Sequence, residues 1–216
     1  MALAEEYINA GKYPSHFVII AEEQTQGRGR KATDWQSSPG GLWCNLVLDH
    51  ISTQRSFTLY IGYCITKALN ELAKTENFKS KWPNDIYLNN HKICGVICSQ
   101  YEHQHKTSIG IGINTNTFCT PYPSVREILD ITIPNNIYLD KIINNIIENL
   151  SEFELYGLDY FLDYYKKHDF LQDKVISVIS GKKTFHGKYS GINEDGALLL
   201  HSQDEVKPIY SGSISL

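Results

Sequence analysis

The apolar residues of this chain keep one set of rhythms up to about residue 170 and another after it. Met1 to Gly11 reads as a short helix stopped by a glycine, and His16 to Ala21 is a brief apolar run of strand type. Leu42 to Leu48 predicts a second strand. From Phe57 onward, Ile61, Cys64, Ile65, Ala68, Leu69 and Leu72 recur at helical intervals, so one stripe of that helix should pack against a sheet. Ile86-Tyr87-Leu88, the polar pair Asn89-Asn90 and the run Ile93 to Ser99 predict a β-hairpin, with Thr107 to Ile113 as the next strand. Leu139, Ile142, Ile143, Ile146, Ile147, Leu150 and Phe153 then form the cleanest helical stripe, followed by a tyrosine-rich helix from about Leu158 to His168.

Beyond Phe170 the pattern shortens to strands. Val175 to Ile179, Phe185 to Ile192, Ala197 to His201, Val206 to Tyr210 and Ser213 to Leu216 are separated by Gly181, Asn193 to Gly196, Ser202 to Asp204 and Ser211-Gly212. That alternation predicts a small all-β barrel. The expected architecture is therefore α+β, with one domain over 1–170 and a second over 171–216.

Composition narrows the function classes. A length of 216 residues holds one ordinary domain and a small appendage. The net charge of −4 argues against a general nucleic-acid coat or a binder of anionic membranes, which carry a basic excess. The five cysteines (Cys44, Cys64, Cys94, Cys98, Cys119) are odd in number and lack a CxxC pair, so they read as reduced core residues. No signal-peptide pattern and no apolar run of ~18 residues is present, which predicts a cytoplasmic protein. His103-Gln104-His105 lacks a third ligand nearby and reads as an exposed hairpin tip, so no metal site is expected.

Candidate chemistry enters with the loop after the first strand, Gln24-Thr25-Gln26-Gly27-Arg28-Gly29-Arg30-Lys31. Glycines let backbone N–H groups approach a ligand closely, and two guanidiniums supply forked donors suited to phosphate or carboxylate. Such a loop is an anion trap. Further along stand Lys81-Trp82-Pro83-Asn84-Asp85-Ile86, Lys92-Ile93-Cys94-Gly95-Val96 and Gly110-Ile111-Gly112-Ile113-Asn114. Pro83 fixes its own φ and restricts Trp82, which holds the polar neighbours in a defined turn.

These segments, in this order and with Trp35 and a Ser-Pro-Gly-Gly stretch between them, resemble the biotin protein ligases over roughly residues 22–116, and a glycine-rich hairpin region extends the likeness to Leu216. The resemblance implies a class II aminoacyl-tRNA-synthetase-like catalytic domain, a mixed sheet flanked by helices, followed by an SH3-like C-terminal domain. It implies an ATP- and Mg²⁺-dependent enzyme that makes biotinyl-5′-AMP and transfers biotin to a lysine of a biotin carboxyl carrier domain. No nucleic-acid or membrane partner is implied, and a homodimer by sheet extension is compatible with the family. By resemblance, Arg30 and Lys92 contact the biotin carboxylate and the adenylate phosphate, and Arg28 the biotin tail or the structure of the loop itself. Gln24, Gly27 and Gly95 line the biotin site. Trp35 stacks near the adenine, Lys81 lies near the ATP phosphates, Asn84 near the adenine or Mg²⁺, and Asn114 faces the nucleotide. Asp85 waits where the acceptor lysine arrives. With free pKa values of about 3.9 for Asp and about 10.4 for Lys, its safer role is orientation and attraction rather than proton abstraction.

Departures from the family pattern are equally legible. The Ser-Thr-Asn segment that usually precedes the first helix has no counterpart, and about twenty residues ahead of the loop leave no room for a DNA-binding module, so the non-repressor class is expected. Ala32 and Thr33 replace a glycine and a basic residue, and Ser99 stands where an acidic residue is common. The rival readings are a noncatalytic biotin or biotinyl-AMP binder and a lipoate ligase or octanoyl transferase.

Overall fold

The structure, a computed structural model, describes residues 1–13, 15–30, 34–202 and 205–216. A six-stranded sheet organises the larger part of the molecule, in the order β1-β2-β6-β5-β4-β3. Its strands are β1 (Phe17–Ala21), β2 (Leu42–Leu48), β3 (Phe78–Lys81), β4 (Asp85–Leu88), β5 (His91–Tyr101) and β6 (Lys106–Ile113). All of their ladders are antiparallel, and among the described residues the parallel pairing that a mixed sheet requires is confined to one bridge, Ser80 with Asp169. Asn89, in the left-handed region at φ 54°, turns the β4–β5 hairpin at the predicted polar pair.

Helices α1 (Ala2–Asn9), α2 (Phe57–Ala73), α3 (Val125–Leu129), α4 (Asn135–Glu148), α5 (Leu150–Tyr156) and α6 (Leu162–Lys167) surround this sheet. The expected stripe of α2 is buried, with Ile61, Cys64, Ile65, Ala68 and Leu69 fully enclosed against the strands. The long stripe predicted through Phe153 is split. At Asn149 the side-chain amide donates to the Asn145 carbonyl at 2.7 Å, competing with the backbone and ending α4 before α5 begins. Within α4 the buried face runs through Tyr138, Ile142 and Ile146 and leaves Ile147 exposed, and the tyrosine-rich segment starts as a 3₁₀ turn over Leu158–Phe161. Helix α3 carries a complete capping box between Ser124 and Glu127, a motif printed plainly in the sequence yet unpredicted above.

A second antiparallel sheet, ordered β10-β9-β8-β7-β11, follows with β7 (Val175–Ser180), β8 (Lys183–Ile192), β9 (Leu198–Ser202), β10 (Glu205–Ile209) and β11 (Ser213–Ser215). Its inward residues Ile176, Val178, Tyr189, Leu198 and Leu200 belong to the same apolar cluster as α2 and the first sheet. The two sheets are also stitched by polar groups. Phe170 N–H donates to the Ser80 carbonyl, and the Trp82 indole N–H donates to the Gly196 carbonyl, both at 2.9 Å.

Four cysteines follow the core expectation to differing degrees: Cys44, Cys64 and Cys94 are buried and Cys98 partly so, whereas Cys119 is exposed in the segment leading to α3. Cys119 sits at φ 54°, outside any strand or helix, so its apolar neighbour Phe118 did not carry it inward. Burial pushes the Cys44 and Cys64 thiols up to about 12, leaving them unreactive at neutral pH. Among the described residues no helix is long and apolar enough to cross a membrane.

Candidate active site

Alternation along the strands gives the first sheet two faces, and one of them is hollow. Opposite the α2 side, Trp43, Asn45 and Val47 of β2 stand beside Gly112, Gly110 and Ser108 of β6, which in turn face Gly95, Ile97 and Ser99 of β5. Helix α1 covers the far end through Ala4 and Ile8, which pack in one cluster with Val47 of β2. The glycine row forms the floor of a cavity of about 1270 Å³. That volume exceeds the usual range for one small ligand and has room for an acyl group beside a nucleotide.

The sequence-predicted residues come together around this space except Gly27, which does not line it and instead closes the loop behind it. Gln24, Arg28, Arg30, Trp35, Lys81, Asn84, Asp85, Lys92, Gly95 and Asn114 all line it, contributed by the loop after β1, the β3–β4 turn, the start of β5 and the end of β6. The loop is closed on itself: Trp35 N–H donates to the Gly27 carbonyl at 3.0 Å, and the backbones of Arg28 and Asp34 pair as an isolated antiparallel bridge. Gly27 is required by that closure, because a Cβ there would lie 2.2 Å from the Trp35 carbonyl and 2.9 Å from Gln24 Oε1. Gln24 N–H is held by Ser37 Oγ at 2.8 Å. The departures expected at Ala32 and Thr33, with Lys31, lie outside the described residues.

Arg30 reaches from this loop to two distant elements. Its Nη1 donates to Asn84 Oδ1 at 2.9 Å and its Nη2 to the Gly212 carbonyl at 3.3 Å. Asn84 is itself fixed, since its Nδ2 donates to the Val96 carbonyl at 2.9 Å and its carbonyl accepts from Val96 N–H. The amide therefore acts as a bracket holding the guanidinium over the cavity. Burial holds Arg30 below its ordinary pKa, and the neighbouring Asp85 charge works in the opposite direction. An incoming anion would find a cation stripped of much of its hydration.

Asp85 joins the other cation. Lys92 Nζ lies 2.7 Å from Asp85 Oδ1, so the two loops converge on one carboxylate, Arg30 electrostatically and Lys92 by direct contact. Lys81 sits one step aside, its Nζ donating to Tyr87 Oη at 3.2 Å and lying over the Tyr87 ring.

Trp35 rests on the glycine floor. A Cβ on Gly112 would come within 2.8 Å of its indole, and one on Gly95 within 3.2 Å. Its indole N–H is buried and has no partner, Lys92 Nζ stands 5.4 Å from the ring, and Trp43 meets it edge-on at 6.2 Å. Trp43 is held in turn by a bond from its Nε1 to the Ser38 carbonyl. Asn114 lines the cavity just past the end of β6, its N–H donating to the Ile93 carbonyl and its own carbonyl accepting from Val125 N–H. Among the described residues no group of three or more His, Cys, Asp and Glu could hold a metal ion.

Two contributors escaped the sequence reading. Gly212, Ser213 and Ile214 bring the second sheet to the cavity edge. Nothing local announces that contact, because Arg30 and Gly212 lie 182 positions apart. Asn45 also lines the floor, and a polar residue in the middle of the fully buried run Leu42–Leu48 was a visible signal.

Comparison with known proteins accords with this arrangement. The biotin/lipoate A/B protein ligase family matches residues 1–116, and the biotin protein ligase C terminal domain matches residues 174–216. The bifunctional ligase/repressor BirA of Salmonella typhimurium is 31% identical over 95% of this chain and 68% of that protein. The biotin–[acetyl-CoA-carboxylase] ligase of Paracoccus denitrificans is 24% identical over 84% of the chain and 82% of its own length. Among solved structures, the biotin protein ligase from Aquifex aeolicus in complex with biotin and ATP superposes with a TM-score of 0.82 at 28% identity, covering 92% of this chain and 87% of that one.

Proposed function

From the premise that the chain belongs to the biotin/lipoate A/B protein ligase family, we propose that it condenses biotin with ATP to biotinyl-5′-AMP and then biotinylates a lysine of a biotin carboxyl carrier domain. The observation that carries the reading is the convergence of Arg30 and Lys92 on Asp85 inside one cavity. Joining a carboxylate to the α-phosphate of ATP brings anions together, and preorganised cations are what that attack needs.

In the first step a biotin carboxylate oxygen attacks the α-phosphorus and pyrophosphate leaves. Arg30 and Lys92 hold the two anions in line, Arg28 and Gln24 seat the biotin, and Trp35 with Asn114 cover the adenine. Asn84 keeps Arg30 aimed, and Lys81 supports the phosphates. Lys92 exchanges its contact with Asp85 for the incoming anion. Asp85, released, is then placed to receive the ammonium of the acceptor lysine. In the second step the neutral amine attacks the acyl carbon, AMP leaves, and the amine proton passes to solvent. The Gly27 to Trp35 loop shields the mixed anhydride from water.

Asp85 is a single carboxylate already engaged by Lys92, and no group of three or more candidate metal ligands stands among the described residues; magnesium fits as a companion of the ATP phosphates. When bound it supplies neutralising charge to the triphosphate. Residues 1–170 serve as the catalytic unit in this scheme, and 171–216 brace Arg30 through Gly212.

The test is incubation with labelled biotin, ATP, Mg²⁺ and an apo carrier domain. Label on the carrier supports the proposal. Tight biotin binding without label on the carrier would instead identify a noncatalytic binder, and turnover of lipoate or octanoate alone would move the chain to the other branch of the family.

A further inference from the structure

The deep end of the cavity holds a polar group that the reaction scheme leaves unused. Asn45 is 3% exposed and lines the cavity floor, opposite Gly110 in the β2–β6 ladder. Ser108 Oγ donates to its Oδ1 at 3.0 Å, which fixes the amide plane. The other end, Nδ2, is buried without any partner. A Cβ built on Gly110 would lie 3.7 Å from this nitrogen and 3.0 Å from Met1 Sδ, so the Met1 side chain occupies the space that the glycine leaves in front of the amide. The unbranched Met1 side chain lies over the same glycine and is flexible enough to yield.

A buried NH₂ without an acceptor is costly unless a ligand supplies one. We infer that Asn45 is a specificity-determining residue whose Nδ2 donates to a carbonyl oxygen on the ring of the acyl substrate. The inference rests on the proposed ligase reading and deepens it. Biotin's bicyclic head is a cyclic urea with such a carbonyl, whereas the dithiolane ring of lipoate has no comparable acceptor. A site built to pair a substrate's polar group rejects the analogue lacking it, because its own donor is then stranded. Asn45 thus selects the urea-bearing acid over the purely apolar one, while the cations at the other end of the cavity treat both carboxylates alike.

The experiment is calorimetric titration of biotin and of lipoate into the 216-residue protein and into Asn45→Leu, which keeps the volume and removes the amide. Biotin affinity should fall about ten- to a hundredfold in the variant, with lipoate affinity unchanged or improved. Asn45→Ser, too short to reach the ring, serves if the leucine variant does not fold, and the same direction is expected. Biotin binding within twofold of wild type in either folded variant overturns the inference, as does an equal loss for both acids. Wild-type protein that ignores biotin and takes lipoate would overturn the ligase reading itself, and the role of Asn45 with it.

Discussion

Alternate residues of the same three strands have opposite fates. On the helix side, Leu42, Cys44, Leu46, Ile109, Ile111, Ile113, Cys94 and Val96 are buried in one apolar cluster with α2. On the other side, Trp43, Asn45, Gly110, Gly112 and Gly95 leave a hollow lined with donors. The two-residue period of a strand allows one segment to serve both ends, large side chains filling one face and glycines emptying the other. Stability and chemistry are thus separated by the thickness of a single sheet, and substitutions one residue apart should report on different properties.

The sharpest check on this division pairs Ile111 with Gly112. Ile111→Ala should cost about 2–5 kcal/mol of stability, read by denaturant melts, and leave adenylation per folded molecule near wild type. Gly112→Ala, which pushes a methyl into the Trp35 indole, should instead lower adenylation while costing about 1 kcal/mol of stability. Reversal of the two outcomes would break the comparison.

Removing a cation from the hollow face comes next in size. Arg30→Ala should slow pyrophosphate release by about 10²–10³-fold. A loss of under threefold would mean that the guanidinium only ties the loop to Asn84 and Gly212.

A buried carboxylate at the junction between the sheets offers a third contrast, since it lies in packed core yet is charged. Burial pushes Asp169 up to about 6, against bonds from the Tyr189 hydroxyl and Leu171 N–H that favour the ionised form. Its folded value lies above its unfolded one, so the folded state holds the proton more tightly. The group's contribution is most favourable below about pH 4 and declines as pH rises to about 6, by up to ~3 kcal/mol. Asp169→Asn should therefore gain stability relative to wild type between pH 4 and pH 7, and parallel melting curves across that window would refute the assignment.

The smallest effect concerns the shared carboxylate of the site. Asp85→Asn should leave biotinyl-AMP formation within a few-fold of wild type and slow transfer to the carrier about tenfold, or ~1.4 kcal/mol. Equal losses in separately measured half-reactions would remove the proposed hand-over from Lys92 to the acceptor lysine.

Much of this molecule was legible locally. The strand Leu42–Leu48, the stripe of α2 and the hairpin around Asn89 follow from periods and turn residues that neighbouring positions specify. Strand β3 escaped notice because Phe78-Lys79-Ser80-Lys81 is short and carries one large apolar residue, its pairing with β4 supplying what propensity did not. The break at Asn149 depends on one side-chain bond that outweighs an otherwise continuous stripe.

What the chain determined by itself was the inventory: a cationic glycine loop, a rigid Lys-Trp-Pro-Asn-Asp turn, a glycine-bearing strand and the elements that carry them. Only the tertiary structure decided how these meet, setting Arg30 between Asn84 and Gly212, Lys92 against Asp85, and Asn45 at the floor with one end of its amide unpaired. The physical reason is range. Periodicity and turn preference act over a few residues, whereas a cavity forms from groups far apart in the chain whose approach is fixed by the packing of the whole.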